Sequence, residues 1–144
     1  TKFTGKPALA YKKRTGETLF AWQVRPNLPA AAARPRDIVV MVDTSASQAG
    51  VALDRARQLL AAVARDAGPD DRLDVWTANI DNKAATRSLT NGFQPAHGDA
   101  VRAAAAKLAD AEYGSGAVDL KAALANAVGQ FEGRAGRQQV LLYL

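Results

Sequence analysis

The chain has 144 residues, 48% of them hydrophobic, which is the length of one ordinary domain with enough apolar material for a sizeable core. It has no cysteine and one histidine, so disulfides, thiolate metal sites and a cysteine nucleophile are excluded within this span, and nucleophile–base pairs are scarcely available. The net charge of +5 is uneven, because residues 1–36 hold eight Lys/Arg and one Glu (+7) while residues 37–144 hold eleven Lys/Arg and thirteen Asp/Glu (−2). Lys12-Lys13-Arg14 has no aromatic ladder or groove-reading motif beside it. It reads as a solvated face, and no nucleic-acid partner is expected. No apolar stretch is long enough to cross a membrane, and no signal-peptide pattern is present. The start at Thr1 and the stop at Leu144 inside an apparent strand suggest a piece of a longer protein with other domains.

In chain order, Thr18, Phe20, Trp22 and Val24 alternate within Gly16 to Arg25, the period-two signature of a half-buried strand. Trp22 and Trp76 are both expected as core or half-buried packing residues. Pro26, Pro29 and Pro35 bracket Ala30 to Ala33 as an extended connector. Residues 1–36 therefore read as a basic strand and linker, and 37–144 as the domain proper. Ile38 to Val42 is an uninterrupted apolar run, expected of a strand buried in a parallel sheet. A helix begins near Gly50, with Leu53, Ala56, Leu60, Val63 and Ala67 at helical spacing, and Gly68-Pro69 stops it. Leu73 to Ala78 predicts a second strand, Asp81-Asn82 a turn, and Ala84 to Thr90 a short antiparallel edge strand. A helix from about Asp99 is carried by Val101, Ala105 and Leu108. Tyr113-Gly114-Ser115-Gly116 interrupts it before another helix with Leu120, Leu124, Val128 and Phe131 on one face, ended by Gly133 and Gly136. Gln138 to Leu144 returns as a second buried strand. This order predicts an α/β, Rossmann-like domain with a mostly parallel sheet flanked by helices. Its last strand lacks a following helix, so the fold is expected to be incomplete at the C-terminus.

Asp43-Thr44-Ser45-Ala46-Ser47 follows the apolar run directly, at the edge of an open sheet where ligands collect. One carboxylate and two hydroxyls offer only hard oxygen donors, which suit Mg²⁺ or Mn²⁺ and not zinc. The alternative is that Asp43 ends a strand while Ser45 or Ser47 caps the next helix. The pentapeptide resembles the first loop of the metal-ion-dependent adhesion site of von Willebrand factor A domains. From Leu19 to Leu144 the chain is similar to that family, and closest to the type that follows a VIT domain in proteins like inter-alpha-trypsin inhibitor heavy chains. Phe20 to Pro26, Arg34-Pro35-Arg36-Asp37, Gly68-Pro69-Asp70-Asp71-Arg72-Leu73, Gly116-Ala117-Val118-Asp119-Leu120 and Gln139 to Leu144 carry the likeness.

The resemblance implies a non-enzymatic, adhesion-type module in which Mg²⁺, or Mn²⁺ or Ca²⁺, is held by Asp43, Ser45 and Ser47 and engages an acidic side chain of a protein partner. The second-loop Thr of the family aligns with Val118, which cannot coordinate. Asp119 beside it could substitute, or Ser115, although Asp119 also reads as a helix N-cap. The third-loop Asp would lie beyond Leu144, so the ion is conditional on that loop. The alternatives are a metal-free scaffold domain of the same fold and a phosphoryl-transfer hydrolase using Asp43. Against the hydrolase, Ser45 stands where the haloacid-dehalogenase type has a second acid. No phosphate-loop or dinucleotide fingerprint occurs, and His97 reads as an exposed loop residue. The family resemblance favours the cell envelope or exterior over the interior, although intracellular members of the family are common.

Overall fold

The computed structural model describes residues 8–23, 34–80, 86–110, 114–131 and 136–144. The chain divides into two compact units, Thr1–Ala32 and Ala33–Leu144. The first contains an antiparallel ribbon of β1 (Ala8–Lys12) and β2 (Thr18–Trp22), in which Ala8 faces Trp22 and Lys12 faces Thr18. β1 has no counterpart in the sequence reading. The expected half-buried strand is present as β2, but Phe20 is 78% and Trp22 71% exposed, so Trp22 is not a packing residue of this ribbon. Among the described residues of this unit, every position of the ribbon is exposed. Lys12-Lys13-Arg14 is exposed as expected, and Lys13 pairs with Glu17 across the turn at 3.0 Å.

The second unit is a mixed α/β layer structure. Its elements are β3 (Arg36–Asp43), a short 3-10 turn (Ala46–Gln48), α1 (Val51–Asp66), β4 (Arg72–Ala78), β5 (Arg87–Ser88), β6 (Gln94–Pro95), α2 (Asp99–Asp110), α3 (Leu120–Gly129) and β7 (Gln138–Tyr143). The sheet order is β5-β4-β3-β7, with β6 also on β4. β3, β4 and β7 are parallel, whereas the two-residue β5 and β6 run antiparallel to β4, which makes the sheet mixed. β5 falls inside the predicted edge strand and pairs with Trp76 and Thr77 of β4, while Asp74 of β4 accepts from Ser88 Oγ at 2.5 Å and Thr90 Oγ1 at 2.7 Å. The Val24 to Ala33 connector, the Asp81-Asn82 turn, Ala84, Tyr113 and Gly133 lie outside the described residues.

Alternation along β3 divides the core. Ile38, Val40 and Val42 face α1 and α2 and pack with Leu53, Leu60, Val101 and Leu108. Val39 and Met41 face α3 and pack with Trp76, Ala123, Ala127 and Phe131. The expected face of α3 holds only in part: Phe131 is buried and Leu124 half-buried, but Leu120 and Val128 are exposed, and Ala123 and Ala127 are the buried residues of the helix. Small side chains let the helix backbone sit close to the sheet, and Leu120 and Val128 turn outward. β7 pairs with β3, and among the described residues its Val140 to Leu142 are half-buried.

Two carboxylates fasten the amino edge of the sheet. Asp37 Oδ1 accepts from Arg72 Nε at 2.8 Å and Arg137 Nε at 2.7 Å, joining β3, β4 and the residue before β7. Asp71 accepts from Arg36 Nε at 2.9 Å and from the amides of Arg36 and Gly68, both at 2.7 Å. Burial pushes the Asp37 carboxyl up, but hydrogen bonds from the two guanidiniums outweigh it and hold it below the ordinary carboxylate range. Burial acts the same way on Asp71, and Arg36 with the two amides again brings it below that range.

Candidate site at the carboxyl edge of the sheet

β3 delivers Asp43 to the opposite edge, 5% exposed, on the face that carries Val39 and Met41. Asp43 Oδ1 accepts the Ser45 amide at 2.8 Å, which bends the chain out of the strand, and Oδ2 accepts the Tyr143 hydroxyl at 2.6 Å. The parallel register opposes Met41 to Tyr143, so the tyrosine lies on the same face one step before the carboxylate. Sequence reasoning missed Tyr143 because only this register brings β7 to the loop. Partial burial and the hydrogen bond to Asp43 both push the Tyr143 phenol well above its ordinary value and keep it a proton donor.

Ser45 and Ser47 meet through their hydroxyls at 2.9 Å. Asp43 does end β3, and Ser45 stands at the N-cap position of the 3-10 turn without a side-chain capping bond, but neither serine caps α1, whose N-cap is Gly50 at φ 78°. The second loop is drawn tightly against the first. Ser115 N–H donates to Thr44 O at 3.0 Å, Ala46 N–H to Gly116 O at 3.1 Å, and Ile80 N–H to Ala117 O at 2.8 Å. Asn79, at the end of β4, donates its side-chain amide to Thr44 O at 2.9 Å and Ser115 O at 2.8 Å, tying both loops together. A Cβ added at Gly114 would lie 2.6 Å from Ala49 Cα, so the close approach of the loops depends on glycine there.

The remaining sequence-predicted residues do not converge on this point. Asp119 is the N-cap of α3, accepting the Ala122 amide at 3.0 Å. Val118 is half-buried against the core cluster under α3. His97 is exposed, with Nε2 3.1 Å from Ala67 O at the end of α1. Among the described residues, no three His, Cys, Asp or Glu side chains are grouped to hold a metal ion.

Mg²⁺ requires about six oxygens near 2.1 Å. The first loop offers three side chains that are already engaged, the second-loop position is hydrocarbon, and Asp119 is committed to its helix. The described residues therefore do not form a fitting donor set. Among them, no helix is long and apolar enough to cross a membrane. Comparison with curated proteins gives no match. Residues 36–144, well over half of the chain, match the family described as von Willebrand factor type A domain. The chain belongs to that family of typically non-catalytic domains, and it is a non-enzymatic protein-binding module.

Proposed function

We propose that this domain works as a metal-free binding or scaffold module, presenting the loops at the carboxyl edge of β3 to a protein partner. The observation that carries the reading is that both oxygens of Asp43 are taken by neutral donors, the Ser45 amide and the Tyr143 hydroxyl. The loop is thereby satisfied without a cation. Calorimetry with Mg²⁺ and Mn²⁺ tests it. The expected result is no binding heat at millimolar ion, the same for Asp43→Ala. Saturable binding that disappears in Asp43→Ala would overturn it.

One observation favours a second reading. Two ligands on adjacent vertices of an octahedron with ~2.1 Å bonds stand about 3.0 Å apart, and the Ser45 and Ser47 hydroxyls are 2.9 Å apart. In that reading Asp43, Ser45 and Ser47, with Asp119 recruited from its cap, hold Mg²⁺, Mn²⁺ or Ca²⁺, and an acidic partner residue completes the shell. The same titration separates the two. The domain is further proposed to be of the VIT-linked type, with residues 1–36 as strand and linker from a neighbouring domain of a longer chain. Phe20 to Pro26 and Arg34 to Asp37 support that subtype, and a place at the cell envelope or exterior rests on it alone.

A further inference from the structure

We propose that the Tyr143 hydroxyl occupies the role a cation would have at Asp43, and that this one side chain sets the loop in its metal-free form. The inference rests on the metal-free reading and names the residue responsible. Asp43 is 5% exposed and ends a strand, so its negative charge needs a donor within reach. No described Lys or Arg forms an ion pair with it. Oδ1 is used by the Ser45 amide, a local bond that shapes the loop. The phenol reaches the other oxygen, Oδ2, from the neighbouring strand at 2.6 Å. A hydrogen bond to an ionised acceptor is among the stronger ones, and here it links strands a hundred residues apart in sequence.

The geometry also explains why the serines pair with each other. With Oδ2 already satisfied, nothing draws their hydroxyls outward, and each uses the other as its partner at 2.9 Å. Tyr143 is 37% exposed, so phenylalanine fits the same position in β7 and removes only the donor. Tyr143 is thus a positioning residue acting through Asp43. Its removal leaves Oδ2 without a partner beside two hydroxyls at ligand spacing, an all-oxygen group that attracts a hard divalent ion.

Electron paramagnetic resonance titration with Mn²⁺ on the 144-residue chain, Tyr143→Phe, and Tyr143→Phe combined with Asp43→Asn tests this. Circular dichroism is recorded on each. The expected result is that Tyr143→Phe binds Mn²⁺ at least tenfold more tightly than the parent, and that adding Asp43→Asn abolishes the gain. A merely structural role for Tyr143 would lower stability without creating Asp43-dependent ion binding. If neither parent nor variant binds Mn²⁺, the role of Tyr143 is overturned while the metal-free reading stands. If the parent already binds as tightly as the variant, both fall.

Discussion

β3 has a buried aspartate at each end, and the two are held by opposite means. Asp37, fully buried at the amino edge, is clasped by two guanidiniums from two other segments. Asp43, at the carboxyl edge, is held by a phenol and a backbone amide. Charged partners are strong and hard to replace, so the amino edge fixes the alignment of β3, β4 and β7. Neutral donors add no opposite charge to the carboxylate, which is the difference between the two edges. Under the proposed function, the contrast assigns stability to one end and partner recognition to the other.

The largest expected effect breaks the strong end. Asp37→Ala leaves Arg72 and Arg137 without their carboxylate, and removing one partner from a buried pair costs ~3 kcal/mol or more. Since both arginines are partly solvated, a loss of about 3 kcal/mol is expected in urea denaturation at neutral pH. The same measurement in acid gives the sign of the linkage. Asp37 and Asp71 have lowered values in the folded state, so their contribution is complete above the unfolded carboxylate value of about 3.9 and is lost as pH falls through the lower folded value. The parent should lose stability steeply below about pH 4, and Asp37→Ala should lose less over that range.

Asn79→Ala attacks the recognition end by removing the amide that ties Thr44 to Ser115. The buried Thr44 carbonyl and the part-buried Ser115 carbonyl each lose a donor, for an expected cost of about 2 kcal/mol and faster amide exchange in both loops. A cost near that of Asp37→Ala would erase the contrast between the two edges. The smallest effect sharpens it from the side. Asp119→Ala removes a helix cap and should cost ~1 kcal/mol in thermal or urea unfolding. Its ion-binding behaviour should stay that of the parent, since the carboxylate serves α3 and not the first loop.

Much of the layered architecture could be read in advance, for identifiable reasons. A strand buried on both faces leaves an unbroken apolar run, as in Ile38 to Val42, and α1 shows a clear stripe from Leu53 to Leu60. The face of α3 was illegible because its buried residues are alanines, which also occur on its exposed side. At the site, Asp43, Ser45 and Ser47 are neighbours in sequence, and their convergence follows from one turn. Tyr143 and Asn79 reach the loop only through strand register and loop approach, which no local spacing encodes. Asp119 carried both a ligand and a capping reading, and the structure places its carboxylate on the Ala122 amide.

The narrow space beside Ala49 has a consequence for how this domain can vary over time. Backbone, not a flexible side-chain tip, lies within van der Waals distance of any Cβ placed at Gly114, so no neighbouring rotamer change can make room. A lineage that replaced this glycine would have to move the whole Gly114–Gly116 segment, and with it the amide of Ser115 that meets Thr44. Surface loops ordinarily drift freely. This one is tethered to its neighbour at a position where the genetic code offers a single acceptable residue.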